Sequence, residues 1–180
     1  DWSSDVCSSD LPSEPLQPAE LPTDRAGVAV DGPACSERLA AMQAPERLAW
    51  AQDTFGPALA LTTSFGIQSA VLLHMVQELS QASGAPPIPV IWVDTGYLPP
   101  ETYHYADQLQ SLLGLDLRVA QAAMSPARME ALHGKLWETG TLEALELYNR
   151  LRKVEPLDRA FEDLRVACWA SGVRGNQTDH

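Results

Sequence analysis

The stretch with the clearest chemistry is Ser64-Phe65-Gly66-Ile67-Gln68-Ser69. It joins the apolar run Leu59-Ala60-Leu61-Thr62-Thr63 to another beginning Ala70-Val71-Leu72-Leu73. Hydroxyls and a glycine between a strand and a helix leave backbone N–H groups without intrahelical partners. The helix dipole adds positive charge at the same point. Such a turn seats a phosphate or sulfate, here through Ser64, Phe65, Gly66, Gln68 and Ser69. It lacks the Gly-Lys-Ser/Thr ending of the common phosphate loop, so an ordinary strand-to-helix turn is the alternative.

Asp94-Thr95-Gly96 follows a further apolar run. Asp94 can accept from a ribose or an adenine amino group, and Gly96 lets a ligand approach the backbone closely. The alternative is a helix-capping turn. Lysine and arginine total 12 against 24 acidic residues, so their placement is informative. Lys135 lies in Gly134-Lys135-Leu136-Trp137, and Arg174 follows Gly172 by two positions. Arg150, Arg152, Lys153 and Arg159 crowd into residues 149–159. A cluster of this kind binds a multiply charged anion, or else is a solvated helix face paired with Glu155, Asp158 and Glu162. His74, His104 and His133 show no ligand spacing and read as packing or surface residues. Cys168, inside Val166–Ala170, reads as a small buried hydrophobe. Trp137 lines a pocket or belongs to the core.

These residues need elements to hold them. Leu39, Met42, Leu48 and Trp50 fall on helical spacings, with Pro45 dividing that stretch into two helices. Strands are expected at 58–63, 88–93, 115–120 and 166–170. The helix from Ile67 to about Ser80 is apolar nearly all round and should be buried on more than one side. Pro99 and Pro100 suit a first helical turn, and Gly114 suits the end of that helix. Shorter helices are expected at 126–133, 142–148 and 156–164. Alternating strands and helices imply an α/β fold, a parallel sheet with helices on both faces. Ligands then bind beyond the carboxyl ends of the strands, where the strand order reverses. The Thr62–Ser69 and Asp94–Tyr97 turns should share that edge.

Composition narrows the partners. The formal net charge of -12 argues against nonspecific nucleic-acid or anionic-membrane binding. No apolar run is long enough to span a bilayer, and no secretory leader is visible. Cys7, Cys35 and Cys168 form no metal spacing. A cytoplasmic location is the simplest expectation. Residues 1–11 resemble the translation of a sequencing-adapter oligonucleotide, so Trp2 and Cys7 are set aside. Residues 12–34, rich in proline and acids, should be mostly disordered. The folded unit is expected over 35–180.

Several motifs in order carry a resemblance. They are Ser64–Ser69 with Leu73-His74, and Val93-Asp94-Thr95-Gly96-Tyr97-Leu98 with Pro100-Glu101-Thr102-Tyr103. Gly134-Lys135-Leu136-Trp137-Glu138 and Lys153-Val154-Glu155-Pro156-Leu157-Asp158-Arg159-Ala160 follow. From about Arg38 onward the chain resembles the assimilatory phosphoadenylyl-sulfate (PAPS) reductases. The resemblance implies an adenine nucleotide alpha-hydrolase-like fold of the PP-loop superfamily, here incomplete. It implies reduction of PAPS to sulfite and adenosine 3',5'-bisphosphate, with thioredoxin or glutaredoxin as reductant. The implied substrate-binding set is Ser64, Phe65, Gly66, Gln68, Ser69, Asp94, Thr95, Gly96, Lys135, Lys153, Arg159 and Arg174. A homodimer is left open.

Three departures refine this. Related ATP pyrophosphatases carry Ser-Gly-Gly-x-Asp-Ser in the first loop, whereas Phe65 and Gln68 stand here. Loss of that carboxylate fits a sulfate end better than magnesium-bound pyrophosphate. The iron–sulfur adenylyl-sulfate reductases place a Cys-Cys pair where Tyr148 and Asn149 stand, so no cluster and no metal are expected. The family nucleophile, a cysteine in Glu-Cys-Gly-x-His, has no match before His180, and Gly175 replaces one of a paired arginine. The chain is therefore expected to bind nucleotide weakly and to turn nothing over. The rival readings are an ATP pyrophosphatase or nucleotidyltransferase relative and a catalytically silent nucleotide-binding module.

Overall fold

Strands β1 (Leu59–Thr63), β2 (Val90–Asp94), β3 (Leu117–Gln121) and β4 (Cys168–Ser171) make one parallel sheet in the order β3-β2-β1-β4. The computed structural model describes residues 22–172. The adapter-like residues 1–11 and Arg174 lie outside that range. The order explains the composition of the strands. β1 and β2 are central and covered on both faces, so they are apolar nearly throughout. The edge strands are less buried, and Val119 and Trp169 are exposed.

Side chains alternate between two cores, as the period of a strand requires. Leu59, Leu61, Val90 and Trp92 face one layer, made by α2 (Ala44–Phe55), α3 (Ser69–Ser83) and α4 (Pro100–Leu113). Ala60, Ile91 and Val93 face α7 (Glu155–Leu164), through Leu157, Ala160 and Phe161. Helices thus cover both faces, as the alternation of elements predicts. Leu59, Leu61, Leu73, Val90 and Ile91 are almost wholly buried, each contributing roughly 1.5–3 kcal/mol of apolar burial.

Several local features follow directly from residue type. α1 (Gly32–Ala40) starts at Asp31, whose carboxylate accepts from the Ala34 N–H at 3.2 Å. The expected break near Pro45 separates it from α2. Gly114 closes α4 with φ +63° and an N–H bond to the Gln110 carbonyl at 2.9 Å. α5 (Pro126–His133) and α6 (Leu142–Asn149) are capped by the hydroxyls of Ser125 and Thr141.

Three expectations are corrected. The first long helix begins at Ser69, and only one side of it is buried, by Leu73, Val76 and Ser80. Ile67 and Val71 are 90% and 61% exposed. Apolarity all round does not bury a helix that has only one sheet to cover. Next, of residues 12–34, expected to be mostly disordered, 12–21 lie outside the described residues, whereas 22–34 carry local structure. Thr23 pairs with Ala29 in an antiparallel bridge, and the Arg25 N–H donates to the Thr54 carbonyl at 2.8 Å. Finally, 142–164 is one continuous helical run. A π-turn at Arg150–Val154 joins α6 to α7, with the Glu155 N–H bonding back to the Arg150 carbonyl. Pro156 has no N–H to offer the Arg152 carbonyl four residues back, so the α-type ladder opens there.

Candidate anion-binding site

The strand order places the reversal between β1 and β4. The chain steps outward from β1 to β2 to β3, then returns to lay β4 on the other side of β1. A cavity of about 890 Å³ opens at that point, beyond the carboxyl ends of the strands. Thr62, Thr63, Ser64, Gly66, Ile67, Gln68 and Ser69 form one wall. Ser171 and Gly172 at the end of β4 also line it, as do Val93 and Thr95 of β2 and its turn. Lys153, Val154 and Leu157 close it from the π-turn and α7. Among the described residues its lining carries one cation, Lys153, and no carboxylate.

The first turn is shaped by its own side chains. The Ser69 hydroxyl and N–H both donate to the Gly66 carbonyl, at 2.6 and 2.8 Å. The Phe65 N–H donates to Thr63 Oγ1 at 3.1 Å. The N–H groups of Gly66, Ile67 and Gln68 have no acceptor among the described residues. Phe65 takes φ +50°, a region a bulky residue enters only when its surroundings hold it there. The surroundings are clear: its ring is buried and meets Trp92 edge-on at 5.1 Å. Trp92 in turn meets Tyr103 at 5.6 Å. The side chain of Phe65, expected at the ligand, is therefore a core anchor for the turn, and its backbone N–H is taken.

The second turn also differs from expectation. Asp94 is buried, and both its carboxylate oxygens are occupied. Oδ1 accepts from the Gly96 N–H and the Tyr103 hydroxyl, each at 2.8 Å. Oδ2 accepts from Gln121 Nε2 at 2.8 Å. Burial alone would raise its pKa. The hydrogen bonds from Gln121, Gly96 and Tyr103, with the charge of Arg152, outweigh that and hold it below the ordinary value of 3.8. Asp94 fixes the turn and is not part of the cavity lining. Gly96, at φ +76°, leaves room for protein, not ligand. A Cβ there would lie 2.6 Å from Pro126 Cγ and 3.0 Å from Arg152 Nη2.

Arg152 holds this arrangement together. It is 3% exposed and donates from Nε to the Thr95 carbonyl at 2.8 Å. Its Nη2 also bonds to the Thr95 carbonyl, and its Nη1 donates to the Met124 carbonyl at 2.5 Å. The sequence placed Arg152 in the basic cluster without separating it from Lys153. Pro156, four residues on, was the available signal that the helix phase changes there. Ser171 and Gly172 were also missed. Their signal was their position after the last strand of a parallel sheet, on the same edge as the other turns.

The predicted site residues therefore divide. Ser64, Gly66, Gln68, Ser69, Thr95 and Lys153 line one cavity. Phe65, Asp94 and Gly96 buttress it from behind. Lys135 pairs with Glu138 at 3.3 Å on the surface and is not in the lining. Arg159 donates to the carbonyls of Gln121 at 3.0 Å and Glu155 at 3.4 Å, again outside the lining. Trp137, 38% exposed, is neither core nor cavity wall. It packs on Tyr97 and Tyr148. His74, His104 and His133 are exposed. Cys168 is half-buried, and burial pushes its thiol pKa up. Among the described residues no group of His, Cys, Asp and Glu could hold a metal ion, and no helix is long and apolar enough to cross a membrane.

A parallel α/β sheet with a cavity at its reversal point is an arrangement that the adenine nucleotide alpha-hydrolase-like, PP-loop class shares with other doubly wound folds. Comparison with known proteins narrows this. The family model for the phosphoadenosine phosphosulfate reductase domain matches residues 58–180. A phosphoadenosine 5'-phosphosulfate reductase of Synechocystis is 50% identical over 151 residues, covering 84% of this chain and 59% of that protein. One from Photobacterium profundum is 51% identical over 140 residues, covering 78% and 53%. The crystal structure of PAPS reductase from Candida auris, a phosphate complex, matches with TM-score 0.68 and 28% identity, over 83% of this chain and 71% of that one. This chain belongs to the phosphoadenosine phosphosulfate reductase family. It spans about three-fifths or less of the length of these two curated relatives.

Proposed function

We propose that this chain is the nucleotide-binding part of a cytoplasmic PAPS reductase of sulfate assimilation. The complete reaction converts PAPS to sulfite and adenosine 3',5'-bisphosphate. A thiolate attacks the sulfur of bound PAPS, an S–S bond forms to give a cysteine S-sulfonate, and the S–O bond to the bisphosphate breaks. The dithiol of thioredoxin or glutaredoxin then supplies two electrons, releasing sulfite and becoming a disulfide. No cluster and no metal enter this scheme.

The observation that carries the reading is that Lys153 and the N–H groups of Gly66, Ile67 and Gln68, which have no acceptor among the described residues, border one cavity whose described lining holds no carboxylate. Fixed N–H dipoles and one ammonium suit an anionic end and the charge that develops on a leaving phosphate. The Candida auris structure was solved as a phosphate complex, which agrees with an anion site in this fold. Of the cations in the implied substrate-binding set, Arg174 lies outside the described residues, and of Lys135, Lys153 and Arg159 only Lys153 lines the cavity. Neither Cys35 nor Cys168 lines it, so the nucleophile is assigned to neither.

Calorimetry with the 180-residue chain tests this. Adenosine 3',5'-bisphosphate should bind more tightly than 5'-AMP, and PAPS with thioredoxin should yield no sulfite. AMP formation from ATP and magnesium would favour the pyrophosphatase reading instead. Failure to bind either adenine nucleotide would overturn the proposal.

A further inference from the structure

Two adjacent residues of the π-turn do different work, and aromatic rings connect them. The Arg152 guanidinium sits 5.6 Å from the centre of the Tyr97 ring, and the Lys153 ammonium 5.7 Å from that of Tyr148. Trp137 bridges the two tyrosines, with centroids 4.7 Å from Tyr97 and 5.7 Å from Tyr148. The Tyr97 hydroxyl is tied to Glu130 at 2.9 Å. The contacts form a closed circuit: Arg152, Tyr97, Trp137, Tyr148, Lys153, and back along the chain to Arg152. Gly134-Lys135-Leu136-Trp137 thus reaches the site through its tryptophan, although its lysine does not.

The geometry points to Tyr148 as a positioning residue that restrains the ammonium of Lys153, a residue of the cavity lining, at the cavity's edge for an anionic ligand. A free lysine side chain samples many rotamers, and restricting it beforehand lowers the entropy lost when an anion binds. A ring face within about 6 Å attracts the ammonium without neutralising it or occupying its hydrogen bonds. A carboxylate partner would do both. Tyr148 is itself immobilised by Trp137 and Tyr97, so the platform is rigid. The choice of adenosine 3',5'-bisphosphate as probe rests on the proposed function, whereas the ring–ammonium contact does not.

The test uses the 180-residue chain with ¹³C-labelled lysine, the Lys153 signal being assigned by its loss in Lys153→Met. In the wild type and in Tyr148→Phe, the Lys153 ε-methylene protons should lie upfield because of the ring current. In Tyr148→Leu they should return to the ordinary lysine position, and the Kd for adenosine 3',5'-bisphosphate should rise about three- to fivefold. In a Lys153→Met background, Tyr148→Leu should change the Kd no further. An unshifted Lys153 signal in the wild type overturns the inference. So does an equal loss of affinity from Tyr148→Leu with or without Lys153, which would make Tyr148 merely structural. If Tyr148→Leu does not fold, Tyr148→Met takes its place and the wild-type shift still decides. Absence of bisphosphate binding by the wild type would defeat the proposed function and leave the ring-current result to judge Tyr148.

Discussion

Arg152 and Thr95 stand 57 positions apart in the chain, yet Arg152 Nε donates to the Thr95 carbonyl at 2.8 Å inside the protein. That bond ties the turn after β2 to the π-turn between α6 and α7, the two segments that bring Thr95 and Lys153 to one cavity. A guanidinium can bond two carbonyls at once because its donors form a planar fork. Here it joins the carbonyls of Thr95 and Met124.

Arg152→Met should therefore destabilise the chain by about 3 kcal/mol, since it leaves two carbonyls without donors. Arg152→Lys should recover little, because an ammonium cannot reproduce the fork. Urea denaturation of both variants checks this, and wild-type midpoints would contradict it.

Gly96→Ala should cost about 1–3 kcal/mol. Its φ of +76° disfavours a side chain, and the new methyl would meet Pro126 Cγ at 2.6 Å. The shift in thermal midpoint measures the effect. Gly27, with φ +80° but open space around it, is the control: Gly27→Ala should carry only the conformational part of the penalty.

Lys153→Met should weaken adenosine 3',5'-bisphosphate binding about tenfold, the loss of one charge-assisted contact, while leaving the fold intact. Lys135→Met and Arg159→Met should change the Kd by less than about twofold, because an exposed cation engaged elsewhere adds little. Calorimetry on the three variants separates the cavity cation from the other two. A larger loss from Lys135→Met would show that the cavity is not the ligand site.

Asp94 sets an acid limb. Its folded pKa lies below the unfolded value near 3.8, so its contribution is fully present above that value and disappears as pH falls through the folded one. Asp94→Asn should lower stability at neutral pH and flatten the decline below about pH 4. Urea midpoints from pH 3 to pH 7 provide the comparison. Parallel curves for variant and wild type would show that this carboxylate is not held as described.

Much of the architecture was legible because it depends on local chemistry. Continuous apolar runs such as Leu59-Ala60-Leu61 and Val90-Ile91-Trp92-Val93 have one use in an alternating α/β chain: strands covered on both faces. Prolines and glycines at 45, 99, 100 and 114 broke, began or ended helices as their backbone restrictions require. The Ser64–Ser69 turn was recognisable as a helix entrance with free donors. Those features belong to residues a few positions apart.

Tertiary structure alone decided which side chains reach the cavity. In sequence, Arg152 and Lys153 are two equivalent cations, but in the π-turn at Arg150–Val154 one points into the interior and the other lines the cavity. Asp94 and Gly96 look equally suited to ligand and to protein, until Tyr103, Gln121, Pro126 and Arg152 arrive from four other elements and fill their surroundings. Likewise, Phe65 sits in a turn whose other residues line the cavity, yet Trp92 from the next strand draws its ring into the core. Local propensity fixes where a strand or helix begins. The direction of a side chain depends on helix phase and on partners distant in the chain, and only the assembled sheet supplies those.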